Sequence, residues 1–225
     1  MKTIAIVPVK RFANAKTRLA DALPARSRVA LMQAMVTDVL IALRRAQLVD
    51  GVVVVTGEEI AEQIAVNYGA EVVTDQQDQG HSAAVAAGIQ WAVGRGAERV
   101  LLVPGDCPVL DPDEVDGLLA ADPAATADAA APLGPEVTIV PDRHGTGTNG
   151  LVLRPPGIMA AAFGPGSRAR HAEAARAAGA AVYEAEPRSL VLDVDTGEDL
   201  EALRQHLEEH RGGASHTRGL LPRIL

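Results

Sequence analysis

The sequence predicts a three-layer α/β/α fold around a mostly parallel sheet, on three observations. Short apolar runs alternate with helical stretches along the first half of the chain. The longest helical stretch carries apolar residues on one face. Finally, the residues able to do chemistry cluster just after apolar runs, where open parallel sheets place their ligands.

The first run, TIAIVPV over residues 3–9, is six strongly apolar or β-branched positions and a proline, too short to span a bilayer. It reads as a buried first strand rather than a leader segment. Residues 24–46 follow as a helix, with Val29, Met32, Val36, Val39 and Leu43 recurring at three- and four-residue steps. Strands over 51–56, 70–74 and 98–104 are separated by helices over 58–68 and 82–93. Pro24 and Pro112 stand at first-turn positions, where a missing N–H costs nothing.

Beyond residue 122 the rhythm changes. Strands are expected over 136–140 and 151–154 around a Gly-rich turn, then a short helix over 158–163 and another over 167–178. Strands over 181–184 and 190–194 and a closing helix over 196–210 complete the pattern. Thr196 and Asp199 form a capping box at its start. No repeat or linker divides the chain, so residues 1–210 read as one domain and 211–225 as a mobile tail.

Composition narrows the function. The 225 residues have a formal net charge of −8 and 2% aromatic residues, which argues against nucleic acid, since polyanions need a broad basic face or stacking platforms. No membrane partner is expected. A lone Cys107 excludes an internal disulfide and suits a reducing, cytoplasmic setting. The oligomeric state is not written in the sequence; a homodimer is compatible with it.

Against this acidity, residues 1–20 hold Lys2, Lys10, Arg11, Lys16 and Arg18 and no carboxylate. The loop VKRFANAKTRL has no glycine, so it is not a Walker loop; its side chains would supply the charge to an anion, unless it is simply a solvated basic loop. Asp106, in PGDCP just past the fourth strand, suits a hard divalent cation such as Mg²⁺, or else caps a turn. Asp193 and Asp195, two apart in LDVDTGEDL, would share one face of a strand and repel without a cation between them.

Other segments are less specific. Gly145, Gly147 and Gly150 in DRHGTGTNG match G-x-G-x-x-G, but a strand and two prolines follow instead of a helix, so the dinucleotide reading fails. What remains is a glycine turn with Thr146, Thr148 and Asn149, suited to close approach of a small anion. Ser167 reads as an N-cap with Arg168, Arg170 and His171 in the first turn, either an anion site or a plain capped surface helix. Gly80, His81 and Ser82 open a helix, where His81 could touch a nucleotide, and Asp78 with its flanking glutamines could read a base.

Taken in order, PVK with a downstream AKTRL, GDCP, DRHGTGTN, FGPGSRARH and DVDTGEDL resemble the 2-phospholactate/phosphoenolpyruvate guanylyltransferase family of coenzyme F420 biosynthesis. The resemblance runs over residues 1–210 and implies a nucleotidyltransferase with a glycosyltransferase-A-like fold. It implies transfer of GMP from GTP to the phosphate of a three-carbon acid, with pyrophosphate released. Lys10, Lys16 and Arg18 would then hold the triphosphate, with Pro8, Val9, Lys10, Gly80, His81 and Ser82 around the nucleotide. Asp106, Asp193 and Asp195 would hold Mg²⁺, and Thr148 or Asn149 with Gly164 and Ser167 would contact the acceptor. The alternatives are a relative using another nucleotide or acceptor, such as 3-phosphoglycerate, or a nucleotide-binding protein without activity.

Overall fold

In the computed structural model, residues 1–12, 16–75, 80–120 and 134–225 are described. Seven strands form one sheet in the order β3-β2-β1-β4-β6-β5-β7. These are β1 (Thr3–Val9), β2 (Gly51–Thr56), β3 (Glu71–Thr74), β4 (Arg99–Leu102), β5 (Glu136–Pro141), β6 (Thr148–Arg154) and β7 (Ala181–Glu184). β1 runs parallel to β2 and β4, and β5 parallel to β7. β6 is antiparallel to both of its neighbours.

The pleat of β1 divides the core. Ala5, Val7 and Val9 face one apolar layer, while Ile4 and Ile6 face the other. All are buried, as a strand covered on both faces requires. On the second face, helix α3 (His81–Gly94) lies so close that a Cβ at Gly88 would come within 2.5 Å of the Ile6 Cγ2. That packing aims the N-terminus of α3 toward the carboxyl end of β1.

Helix α1 (Ala25–Arg45) is buried on more than one stripe, since Leu31, Met35 and Leu40 are covered along with Met32, Val36, Val39 and Leu43. The C-terminus supplies part of this cover. Residues 211–225, expected as a mobile tail, instead include helix α8 (Ser215–Ile224), which packs on α1 and buries Thr217 and Leu221. Asp38 of α1, 4% exposed, accepts from the His216 and Thr217 N–H groups at 3.0 and 2.8 Å. An acidic side chain thus caps an otherwise unsatisfied first turn. The buried Asp38 within TDVLIAL was the sequence signal for a missing partner.

Two further expectations are corrected. Residues 158–163 form a bend and an irregular segment, not a helix. Their polar backbone is engaged elsewhere: the Ala162 N–H donates to His171 Nε2 at 2.9 Å, and Arg170 Nη2 donates to the Ala162 carbonyl at 2.9 Å. Residues 190–194 are not a strand either. Helix α6 (Arg188–Val191) starts behind Pro187, and the Leu190 and Val191 carbonyls accept from the Asn149 amide at 2.9 and 3.2 Å instead of from a neighbouring strand.

The remaining helices are α2 (Glu59–Asn67), α4 (Pro112–Ala120), α5 (Ser167–Ala177) and α7 (Gly197–Glu209). The capping box of α7 forms as expected, with Thr196 and Asp199 bonded reciprocally. Arg143, from the glycine turn, reaches Asp199 at 2.8 Å and ties that turn to α7.

Candidate active site

A cleft of about 630 Å³ opens at the carboxyl ends of β1 and β4. Its placement follows from the topology: β1 and β4 are adjacent, parallel and central, so the loops after them emerge side by side. Lys10 and Arg18 line it from the first loop, and Asp106 from the loop after β4. Asp193 and Asp195 line it from the segment after α6. Thr148 and Asn149 from β6, with Gly164 just before α5 and Ser167 at its start, complete its lining.

Lys16 sits at the junction of the charged groups. It has a left-handed backbone, φ 56°, rare for a residue with a side chain, and its side chain is 4% exposed. The ammonium donates to Asp106 Oδ2 and, at 2.7 Å, to Asp195 Oδ1. Burial by itself pushes its pKa down, but the charges of Asp106 and Asp195 outweigh burial and hold it above its ordinary value. Burial likewise opposes the Asp195 charge, and Lys16, Arg18 and Lys10 together keep its pKa lowered. At Asp193 burial and the charge of Asp106 push the pKa up, against a 3.0 Å bond from Asn149 Nδ2.

The three aspartates expected to hold a cation all line the cleft, but they do not form a ready-made metal site. Among the described residues no three His, Cys, Asp or Glu side chains group closely enough to hold a metal. Lys16 lies between two of the carboxylates. Still, Asp106 Oδ1 is buried with no hydrogen-bond partner among the described residues. An orphaned carboxylate oxygen beside two further aspartates fits a hard cation's donor set.

The nucleotide-side residues divide. Pro8, Lys10 and His81 line the cleft, and they also border a narrow recess lined by Val9, Gly57 and Gly80. Ser82 is exposed and borders neither. Burial and then the charge of Lys10 lower the His81 pKa, so it is neutral at pH 7. Asp78 and its glutamines lie outside the described residues.

The acceptor-side residues carry no charge themselves, although Asp142 of the glycine turn also lines the cleft. Asn149, 6% exposed, spends its amide on Leu190, Val191 and Asp193, so it positions the aspartate loop. Thr148 Oγ1 lies 3.1 Å from Ser167 Oγ and 3.0 Å from His171 Nδ1. Gly164 adopts φ +109°, a conformation other residues rarely reach. Ser167 is the first residue of α5 rather than its cap; Gly166, φ 71°, precedes it.

The anion site expected at the start of α5 is not formed by its basic residues. Arg168 pairs with Glu184 at 2.7 Å and donates to the Gly145 carbonyl at 2.9 Å. Arg170 donates to the carbonyls of Pro165 and Ala162 at 2.5 and 2.9 Å. These acceptors offset the unfavourable placement of cations at a helix N-terminus. His171 is fully buried. Cys107 is buried too, its thiol pushed well up by burial, which makes it a packing residue.

Sequence reading overlooked Phe163. Its ring stands edge-on between His81, at 4.8 Å, and His171, at 5.0 Å, and joins the two walls. The signal was available, since the chain has only two phenylalanines and this one precedes Gly164.

Comparison with known proteins agrees with this fold. Among solved structures, a nucleotide-diphospho-sugar transferase of Desulfovibrio desulfuricans superposes with a TM-score of 0.74 at 19% identity, over 99% of this chain and 95% of the other. That likeness establishes the fold. A phosphoenolpyruvate guanylyltransferase of Conexibacter woesei is 49% identical over 225 residues, covering all of this chain and 97% of the relative. A 2-phospho-L-lactate guanylyltransferase of Methanothermobacter thermautotrophicus is 34% identical over all of this chain and 92% of the relative. The family model described as guanylyl transferase CofC-like matches residues 3–220. The chain belongs to the CofC-like guanylyl transferase family.

Proposed function

We propose that the protein transfers GMP from GTP to the phosphate of a three-carbon phospho-acid, phosphoenolpyruvate or 2-phospholactate, in coenzyme F420 biosynthesis. The observation that carries this reading is the convergence, in one cleft, of Lys10, Lys16 and Arg18 with Asp106, Asp193 and Asp195. Those groups are far apart in sequence. The 49% identical relative named for phosphoenolpyruvate favours that acid over 2-phospholactate.

The nucleophile is a phosphate oxygen of the acid, already ionised at neutral pH. It attacks the α-phosphorus of GTP, a new P–O bond forms, and the α–β bond breaks to release pyrophosphate. No general base is needed. The barrier lies in bringing anions together in line, so catalysis is positioning and electrostatic stabilisation. Lys10 and Arg18 line the cleft and would hold the triphosphate; Lys16, once its carboxylates have another cation, would join them. Asp106 and Asp195, with Asp193 beside them, would hold Mg²⁺, which supplies positive charge against the phosphates. Thr148, Gly164 and Ser167 would receive the acid.

The deciding experiment incubates the protein with GTP, Mg²⁺ and, separately, phosphoenolpyruvate, 2-phospholactate and 3-phosphoglycerate. Mass spectrometry of the products should show a guanylylated acid and stoichiometric pyrophosphate with phosphoenolpyruvate. Absence of any guanylylated product with all three acids rejects the reading.

A further inference from the structure

We propose that His171 is a positioning residue that fixes Thr148 as a hydrogen-bond donor into the acceptor side of the cleft, selecting an anionic oxygen there. The proposal rests on the reading of the cleft as the site of a phospho-acid.

The proton arrangement follows from one bond that has a single direction. The Ala162 backbone N–H can only donate, and it lies 2.9 Å from His171 Nε2, so Nε2 carries no proton. A neutral imidazole then bears its proton on Nδ1. Nδ1 is 3.0 Å from Thr148 Oγ1, and this N–H donates to that oxygen. Ser167 Oγ, 3.1 Å away, donates to the same oxygen. Both lone pairs of Thr148 Oγ1 are thereby engaged. Its own O–H is left over, and Thr148 borders the cleft while His171 is fully buried behind it.

Neutrality of the ring is secured by its surroundings. Burial first, and then the Arg170 charge on the same helix, lower the His171 pKa to about 4. The other groups against it are uncharged: the Phe163 ring edge, the Ala162 N–H and the Thr148 hydroxyl. Among the described residues no carboxylate acts on it to restore the charged form.

A hydroxyl compelled to donate discriminates between ligand groups. It welcomes a carboxylate or phosphate oxygen, which only accepts, and it leaves an amide or ammonium donor unpaired. The site therefore favours the anionic acid without placing a cation on that wall, which keeps the basic side chains for the triphosphate.

Two measurements on the full chain test this. The first is the ¹⁵N chemical-shift pattern of the histidine rings near pH 7, with His171 assigned by its loss in His171→Gln. A protonated Nδ1 and bare Nε2 support the proposal; the opposite tautomer or an imidazolium overturns it, whatever the substrate proves to be. The second is steady-state kinetics of Thr148→Val, His171→Gln and the double variant. Each single variant should lower kcat/KM for phosphoenolpyruvate about tenfold, as for a lost bond to a charged group, with KM for GTP within about twofold. The double variant should be no worse than Thr148→Val alone, and Thr148→Ser should keep near-wild-type efficiency. Additive losses, or an equal rise in KM for GTP, overturn the positioning role. Wild-type protein that guanylylates no acid refutes the proposed function instead. Repeating the Thr148→Val comparison with ethyl phosphate tells which oxygen is held. A loss that persists without the carboxylate places the phosphate at Thr148, and a loss that vanishes places the carboxylate there; either supports the donor. A Thr148→Val effect absent with both substrates overturns it.

Discussion

The two walls of the cleft are built on different principles. One is ionic: Lys16 bridges Asp106 and Asp195, carried by segments separated by 90 and 179 residues. The other is neutral: Thr148, Ser167 and His171 exchange hydrogen bonds, and the nearby arginines are turned outward onto Glu184 and loop carbonyls. An ionic wall tolerates exchange of one cation for another, because charge is weakly directional. A hydroxyl–imidazole wall tolerates little, because each proton has one place. The first suits a triphosphate that arrives with its counterions and leaves as pyrophosphate; the second suits a small acid that must be held in one orientation.

The sharpest way to break this comparison is to make one small change on each wall. Asp106→Asn keeps shape and removes charge from the ionic wall, and should lower pyrophosphate release by at least about a hundredfold. Circular dichroism should show the variant folded. Ser167→Ala removes one donor from the neutral wall, and should cost about tenfold or less. Equal losses in a coupled pyrophosphate assay would erase the distinction between the walls.

Exchange of cations on the ionic wall gives a smaller, thermodynamic effect. Lys16→Met leaves Asp106 and Asp195 facing each other without the ammonium. A fully buried pair broken this way costs about 3–5 kcal/mol. Here the Asp195 side chain is 48% exposed and water screens it, so about 2 kcal/mol is expected from urea unfolding. Excess Mg²⁺ should then stabilise Lys16→Met more than it stabilises the wild type, since the carboxylates no longer have a competing partner. An identical Mg²⁺ response in the two proteins would remove Asp106 and Asp195 from the cation site.

The same contrast explains what the sequence disclosed. The ionic wall was legible because its residues announce themselves: basic side chains without carboxylates after β1, and aspartates after apolar runs. Their convergence follows from parallel topology, which apolar alternation reveals. The neutral wall was half legible. Thr148, Asn149, Gly164 and Ser167 came from motif resemblance, but the work of His171 depends on Ala162, nine residues away, giving up its N–H to a ring nitrogen. No periodicity encodes that. Likewise the segment 190–194 has a strand's composition, but its first two residues close helix α6 and their carbonyls accept from Asn149. Arg168 and Arg170 had the signature of an anion site, and their fate was settled by Glu184 and a loop that composition does not place. Helix α8 was missed because Gly219 and Pro222 weaken its local preference; its stability comes from α1 and from Asp38.

The smallest expected effect probes the neutral wall through protons. His171 has a folded pKa of about 4 against an ordinary 6.5, so between those values the unfolded chain binds more protons than the folded one. Stability from a neutral His171 is complete above about pH 6.5 and is lost as the pH falls toward 4. Asp195, with its lowered pKa, also loses stabilisation in acid, as the pH falls through its folded value, but it does so equally in a His171 variant. The difference between proteins isolates the histidine. Urea midpoints of wild type and His171→Gln should be furthest apart at pH 7.5 and converge by pH 5, because glutamine has no proton to gain. A gap that stays constant across that range means His171 titrates in the folded protein as it does in the unfolded chain, so that at pH 5 the folded ring is charged and Nε2 cannot accept from Ala162. The neutral wall would then have to be built on some other donor, and its contrast with the ionic wall would be one of degree.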